Sequence, residues 1–279
     1  MSSSRTLLAV DLSYQAYRAA STRSNLTNAE GVFTGGLYGF LVSLAAVIRD
    51  TEATHVVICR DMRPYRRSLE YPEYKMLRKK TQDHDLKKLA DLSMDQILEV
   101  CRVIGLPIVG VDGFESDDII AHFVHTQRGR FNTIYAASND SDLFQLFWCQ
   151  WFKVYRKDKT DIMDYWKLAE VTGLTPDQFM LSSALRGTHN DIAGIAGVGE
   201  KTALKAVKDP QLMRMYRERH ANLIDRNLRL IRLPHADFPR AVGLPPRGKF
   251  DNRSLYRFCA RYDIEVTNNM LNSFEAVCP

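Results

Sequence analysis

The 279-residue sequence lacks a run of about 20 apolar residues, a Cys-x-x-Cys pair, a low-complexity tract, an internal repeat and a large excess of either charge. Each absence closes a class of protein. The longest apolar stretch, residues 35–48, contains Tyr38 and Ser43 and stops at Arg49, which makes it a buried helix and not a bilayer span. At the N-terminus only Leu7 to Val10 are apolar before Asp11, too little for a secretory signal, so a cytoplasmic protein is expected. Cys59, Cys101, Cys149, Cys259 and Cys278 are odd in number and scattered, which excludes a disulfide framework or zinc cage and predicts reduced, mostly buried thiols. With 45% hydrophobic and 25% charged residues, the chain is neither disordered nor collagen-like. Its net charge of +5 hints at a polyanionic partner without identifying one.

What is present is alternation. Apolar runs rich in β-branched residues recur at 6–10, 54–59, 107–111, 132–136 and 152–155. Between them apolar residues fall at helical spacing, as in Leu37, Phe40, Leu41, Leu44, Val47 and Ile48. The pattern predicts an α/β fold with a central, mostly parallel sheet flanked by helices. After about residue 165 the strand signals fade. The expected organisation is an α/β core over 1–165 and a helical subdomain over 166–279, closed by short helices near 253–262 and 268–276.

Acidic residues cluster where strands should end. Asp11 follows the first run, Asp61 the second, Glu115, Asp117 and Asp118 the third, and Asp140 and Asp142 the fourth. Ligands of open parallel sheets bind at the carboxyl ends of strands, so these seven carboxylates should converge on one crevice. So many like charges would repel or take up protons unless a cation joined them. The donors are hard oxygens, which favours Mg²⁺ or Mn²⁺. Two such ions ~3.5–4 Å apart activate water and stabilise a leaving oxygen in phosphodiester hydrolysis. A plainer reading stands beside this one: Asp117, Asp118, Asp140 and Asp142 also suit helix N-termini. His122 and His125, three apart, have metal-ligand spacing but read more naturally as satisfied or exposed histidines.

Two further features point to phosphate. Residues 192–207 read as helix, tight turn, helix, with Gly197, Val198 and Gly199 at the turn and Lys201, Thr202 and Lys205 opening the second helix. Exposed backbone N–H groups and a helix N-terminus hold phosphate without reading bases. Between Asp61 and the next helix, residues 62–90 carry nine bases, including Arg66, Arg67, Lys75 and Arg78, against four acids. Tyr65, Tyr71 and Tyr74 interleave with them, as on surfaces that grip phosphates and stack on unpaired bases. A solvated basic loop is the simpler alternative.

In chain order these motifs resemble the 5′-nuclease family that includes bacteriophage flap endonucleases and the 5′-nuclease domain of bacterial DNA polymerase I. The matching segments are Ala9-Val10-Asp11, Cys59-Arg60-Asp61, Tyr71-Pro72-Glu73-Tyr74-Lys75 with Arg78, Gly113-Phe114-Glu115-Ser116-Asp117-Asp118, Ser138-Asn139-Asp140-Ser141-Asp142 and Gly197-Val198-Gly199-Glu200-Lys201-Thr202. The resemblance implies two Mg²⁺ or Mn²⁺ ions, one among Asp11, Asp61, Glu115 and Asp117, the other at Asp140 and Asp142, with Asp118 in support. It implies that residues 62–90 form an arch in which Lys75 and Arg78 act on the scissile phosphate and Tyr74 stacks on a displaced base. It also implies a helix-hairpin-helix that grips duplex backbone and holds a K⁺ ion.

The family usually places two aspartates, three apart, before the hairpin. Here the segment is Arg186-Gly187-Thr188-His189-Asn190-Asp191, with one acid: gap-free alignment on the hairpin puts Gly187 and Asn190 where those aspartates would be, while Asp191 substitutes as a ligand after a one-residue shift, so the second ion would be held more weakly or through water. The expected activity is structure-specific hydrolysis of DNA at 5′ flaps, ends or junctions, with RNA–DNA hybrids as further substrates. A monomer meeting replication proteins and no membrane is expected. The competing readings are a junction-binding protein with weakened or lost nuclease activity, which the altered segment favours, and a small metal-dependent ribonuclease.

Overall fold

The computed structural model describes residues 4–77, 83–156 and 161–279. Its centre is a six-stranded sheet in the order β3-β2-β1-β4-β5-β6. The strands are β1 (Thr6–Asp11), β2 (His55–Arg60), β3 (Ile108–Gly110), β4 (Thr133–Ala137), β5 (Phe152–Arg156) and β6 (Asp161–Met163). The first five pair in parallel, and β6, which the sequence pattern did not reveal, is an antiparallel edge.

Side chains of β1 alternate between two cores, as strand geometry requires. Leu8 and Val10 pack with α1 (Leu12–Thr22), α2 (Gly35–Thr51) and α4 (His84–Ile104), while Leu7 and Ala9 pack with α5 (Ser116–Thr126). Covered on both faces, the central strands consist of nearly continuous apolar residues. All five cysteines are buried and free, as expected. No helix among the described residues is long and apolar enough to cross a membrane.

After α6 (Tyr165–Thr172) come α7 (Pro176–Arg186), α8 (Glu200–Lys208) and α9 (Pro210–Ile231), the last kinked at non-helical His220. Leu185, Ile195, Val198, Ala203, Ala206 and Ile224 form their own small core. The chain then returns to the sheet. Leu255, Phe258 and Cys259 of α10 (Asn252–Ala260) and Met270, Phe274 and Val277 of α11 (Asn268–Val277) join the same core as Leu8 and Val10. The stretch expected as one helical subdomain is therefore divided between a separate α7–α9 unit and helices that complete the α/β core.

Candidate active site

The strand order reverses between β1 and β4, because the chain builds outward from β1 to β3 and then crosses to the other side. Ligands of such sheets sit at that switch point. The acids meet there. Asp11 ends β1, Asp61 follows β2, Glu115 and Asp117 open α5, and Asp140 follows β4. All five line one cavity of about 710 Å³ together with Lys75, Ser138 and His189. Asp142 adjoins them through Asp140, whose Oδ1 accepts the Asp142 N–H at 2.8 Å.

The capping reading and the crevice reading hold together. Asp11 Oδ1 accepts from the Tyr14 N–H at 3.1 Å and caps α1, and Asp140 caps the 3₁₀ helix Ser141–Trp148. Asp61 Oδ1 accepts from the Ser116 N–H at 2.7 Å. Each acid is thus aimed by the helix N-terminus that follows a strand, where the helix dipole favours negative charge.

The charge is incompletely compensated. Burial, then the neighbouring Asp61, pushes the Asp11 carboxyl up to about 7. Burial, then Asp140, does the same to Asp142, also to about 7. Asp117 is raised well above the carboxylate range, first by burial and then by Asp140 and Asp11. Its Oδ1 is buried with no hydrogen-bond partner. An orphaned carboxylate oxygen among acids with raised pKa values is an arrangement that a cation would relieve, although the oxygens of Glu115 are already partnered by Arg67, Tyr74 and Lys75. The all-oxygen donors Asp11, Asp61, Glu115 and Asp117 suit a hard divalent ion.

Several expected roles change. Arg67 was expected on a DNA-facing surface. It is instead 4% exposed, with its guanidinium forked onto Asp118 at 2.6 and 2.8 Å and a third bond to Glu115 at 3.1 Å. Asp118 is fully buried and also accepts the His235 N–H at 2.8 Å, so it positions the start of α5 and does not face the crevice as a catalytic group. Tyr74, expected to stack on a base, is buried, with its hydroxyl donating to Glu115 Oε2 at 2.8 Å. Both were misassigned because α3 (Arg66–Glu70) and the turn after it fold inward: Tyr65 and Tyr74 pack on Ala184, Ile192, Leu230 and Ile231. Arg66 remains exposed. Lys75 lies in the crevice and is paired with Glu115 Oε1. Arg78 lies outside the described residues.

Asp191, expected as a ligand, turns away. It adopts φ 62° and its Oδ2 accepts the Leu77 N–H at 2.7 Å. Its neighbours approach instead. Asn190 Nδ2 donates to Asp142 Oδ2 at 3.0 Å, and His189 Nε2 stands 4.0 Å from Asp140 Oδ2. Asn190 stands at the position that gap-free alignment on the hairpin gives to one of the family's acids; His189 was missed, although it lies in the same segment. His122 is a satisfied core histidine whose Nε2 meets the Val242 carbonyl at 2.8 Å. His125 packs against Trp148.

The expected hairpin also shifts. No helix occupies residues 192–199; α7 ends at Arg186 and the connection runs to Glu200. Gly197 takes φ +79°, which an L side chain rarely adopts. Val198 is a core residue whose N–H donates to the Ile195 carbonyl, so it offers no group to a phosphate. Gly197, Gly199, Lys201, Thr202 and Lys205 are exposed around the start of α8.

Comparison with known proteins shows the family and the fold. A family model described as 5′-3′ exonuclease, N-terminal resolvase-like domain, matches residues 6–173. DNA polymerase I of Mycobacterium tuberculosis is 33% identical over 211 residues, 73% of this chain and 23% of the polymerase. DNA polymerase I of Bacillus subtilis is 32% identical over 213 residues, 75% of this chain and 24% of that protein. The chain thus spans about a quarter of the length of these curated relatives. In fold it is similar to bacteriophage T5 5′-exonuclease with bound zinc, at TM-score 0.70 and 19% identity over 97% of this chain and 100% of that one. Flap endonuclease-1 of Methanococcus jannaschii matches at TM-score 0.59 and 13% identity, covering 98% and 91% of the two chains.

Proposed function

The chain belongs to the 5′-3′ exonuclease family, and on that premise we propose that it is a divalent-metal-dependent, structure-specific 5′-nuclease that hydrolyses DNA phosphodiesters near 5′ ends, flaps and junctions. The observation that carries this reading is the convergence of carboxylates from four strand ends on one cavity, with an unpartnered Asp117 oxygen inside it. Asp11, Asp61, Glu115 and Asp117 would hold one divalent ion, and Asp140 and Asp142 a second; Mg²⁺ or Mn²⁺ suits the oxygen donors. Bound there, such ions lower the pKa of a water and stabilise the charge that develops on the attacking and leaving oxygens.

The chain's own residues do the rest. Lys75 supplies the cationic group nearest the acids, its Nζ 5.2 Å from the centre of the Tyr74 ring and 5.7 Å from that of Tyr65, which fix its direction. Freed from Glu115, it would bind the phosphate under attack. Gly197, Gly199, Lys201, Thr202 and Lys205 would grip duplex backbone at the start of α8, where N–H groups and positive charge favour phosphate and are indifferent to sequence. Carbonyl groups of the same turn would hold a K⁺ ion. Exposed Arg66 would extend this surface toward the arch. The substrate is DNA with 5′ flaps, ends or junctions, with RNA–DNA hybrids as a second class. Solved relatives bound to DNA support it: a T5 flap endonuclease in a pseudo-enzyme-product complex with DNA and metal ions, and human GEN1 with Holliday junction DNA. The protein would act as a monomer in the cytoplasm beside replication proteins.

The test is cleavage of 5′-flap, blunt-duplex and hairpin DNA in Mg²⁺ and Mn²⁺, with EDTA and Asp140→Asn as controls. Metal-dependent cutting that collapses in the variant is expected. Tight flap binding without cutting by the wild type would instead support the junction-binding reading, which the turned-away Asp191 favours. Lys75→Ala should lower the single-turnover rate about 100-fold or more while leaving duplex affinity nearly unchanged. An unaltered rate would remove Lys75 from the site.

A further inference from the structure

We propose that His189 is a metal ligand, and that it makes the ion site at Asp140 and Asp142 a mixed nitrogen–oxygen site that prefers Co²⁺ or Zn²⁺ to Mg²⁺, with Mn²⁺ between them. The inference rests on the nuclease reading of the crevice and assigns a specificity to one half of it.

The distances suit a single ion. His189 Nε2 lies 4.0 Å from Asp140 Oδ2, and one donor atom from each of Asp140, Asp142 and His189 lies within 4.8 Å of the others. Donors bound at ~2.1 Å stand ~3.0 Å apart when adjacent on the ion and ~4.2 Å apart when opposite. Shifts of under about an ångström therefore bring all three onto one ion. The ring has the freedom to make that shift, because its side chain is 54% exposed.

A second observation points to the same spot. Asn190 is 2% exposed, and its Nδ2 already donates to Asp142 Oδ2. Its Oδ1 is buried with no hydrogen-bond partner. Buried amide oxygens are almost always satisfied, so the amide of Asn190, whose nitrogen end meets Asp142 while its oxygen end is unpartnered, is incompletely satisfied in its present orientation. A half-turn of the amide presents that oxygen to the site.

The donor chemistry sets the preference. Asp191, the one acid of the 188–191 segment, is spent on the Leu77 N–H, so this segment supplies no carboxylate to the cluster. What it supplies is an imidazole and an amide. Mg²⁺ demands oxygen ligands and sheds water reluctantly, whereas imidazole suits the later first-row ions, whose affinities climb from Mn²⁺ toward Co²⁺ and beyond. The cluster of Asp11, Asp61, Glu115 and Asp117 keeps an oxygen-only set. The two halves of one crevice would thus differ in which ion they take.

The test is binding, measured on metal-free full chain at pH 7.5. Co²⁺ is titrated by calorimetry and visible absorption, which reports nitrogen ligation, with Mg²⁺ as the comparison. The wild type should bind Co²⁺ in two classes. His189→Ala should weaken one class about tenfold or more and change the absorption band, while Mg²⁺ affinity moves less than about twofold. His189→Asp, an oxygen replacement, should narrow the Co²⁺ over Mg²⁺ preference. Circular dichroism checks that the variants, altered at an exposed loop position, stay folded. Identical Co²⁺ stoichiometry, affinity and spectrum in His189→Ala would overturn the proposal. If that happened while the wild type cut flap DNA, the nuclease reading would stand alone; if His189-dependent Co²⁺ binding appeared without any cutting, the nuclease reading would fall and the site would stand.

Discussion

Replacing Arg67 with alanine should unfold the protein more readily by about 3–5 kcal/mol, because it strands a buried carboxylate. The magnitude follows from what the guanidinium holds. Besides its two bonds to Asp118 and one to Glu115, Arg67 donates to the carbonyl of Leu230 at 2.7 Å and to that of Arg232 at 3.0 Å. One side chain therefore ties α3, the start of α5 and the end of α9. Asp118 is fully buried, and without Arg67 it keeps the N–H groups of His235 and, at 3.2 Å, Glu115. Two backbone donors do not replace a paired cation. Urea unfolding of the metal-free protein measures the cost: with a slope of about 3 kcal/mol per molar, the midpoint should fall by roughly 1–1.7 M. Arg67→Met combined with Asp118→Leu should recover only part of the loss: it removes the stranded charge, but it leaves the carbonyls of Leu230 and Arg232 and the N–H groups of His235 and Glu115 without these partners. A midpoint within about 0.2 M of the wild type, accompanied by weaker DNA affinity, would refute this account and return Arg67 to the DNA-facing surface.

The raised carboxylates give a stability dependence of unusual sign. Asp11 and Asp142 titrate near 7 when folded against 3.8 unfolded, so the folded state holds extra protons in that window and loses stability as pH rises through it. His55, lowered to about 4 by burial and nearby arginines, acts in the opposite sense below about pH 6.5, which makes pH 6.5 to 8 the range to read. Metal-free Tm should drop by several degrees across it, less so in Asp142→Asn, and saturating Mn²⁺ should raise Tm more at pH 8 than at 6.5; a metal-free Tm that climbs with pH would contradict the burial argument. At the α8 surface, Lys201→Ala should weaken duplex binding similarly for all sequences and reduce the slope of log K against log salt by about 1; an unchanged slope would mean that Lys201 meets no phosphate.

The sheet and its acids were legible because they obey local rules. An apolar run ending in Asp11 or Asp61 reads as a strand with an acid at its carboxyl end whatever surrounds it, and parallel pairing then carries those acids to one edge. The inner face of the basic insertion was not legible. In α3, Arg66 and Arg67 are adjacent and chemically identical, yet the first is exposed and the second buried. A helix of five residues has too few turns for its apolar residues to declare a face. Tertiary packing decides, here through Tyr65 and Tyr74 on α7 and α9. Asp191 was misread for a different reason: gap-free spacing put Asn190 at the acid's place and Asp191 there only after a shift, and the backbone follows the unshifted register, with Asn190 on Asp142, His189 near Asp140 and Asp191, at φ 62°, accepting from Leu77. The charge picture changes with it. From sequence, an acidic crevice and a basic insertion read as separate regions, one for cations and one for DNA. In the fold, two bases of the insertion turn inward and pair with Glu115, Lys75 from within the crevice and Arg67 from the packed side behind it, so part of the acidic charge is already neutralised. On the proposed ligand set, a cation held by Glu115 would compete with Lys75, and Lys75 so freed would be placed to meet the phosphate.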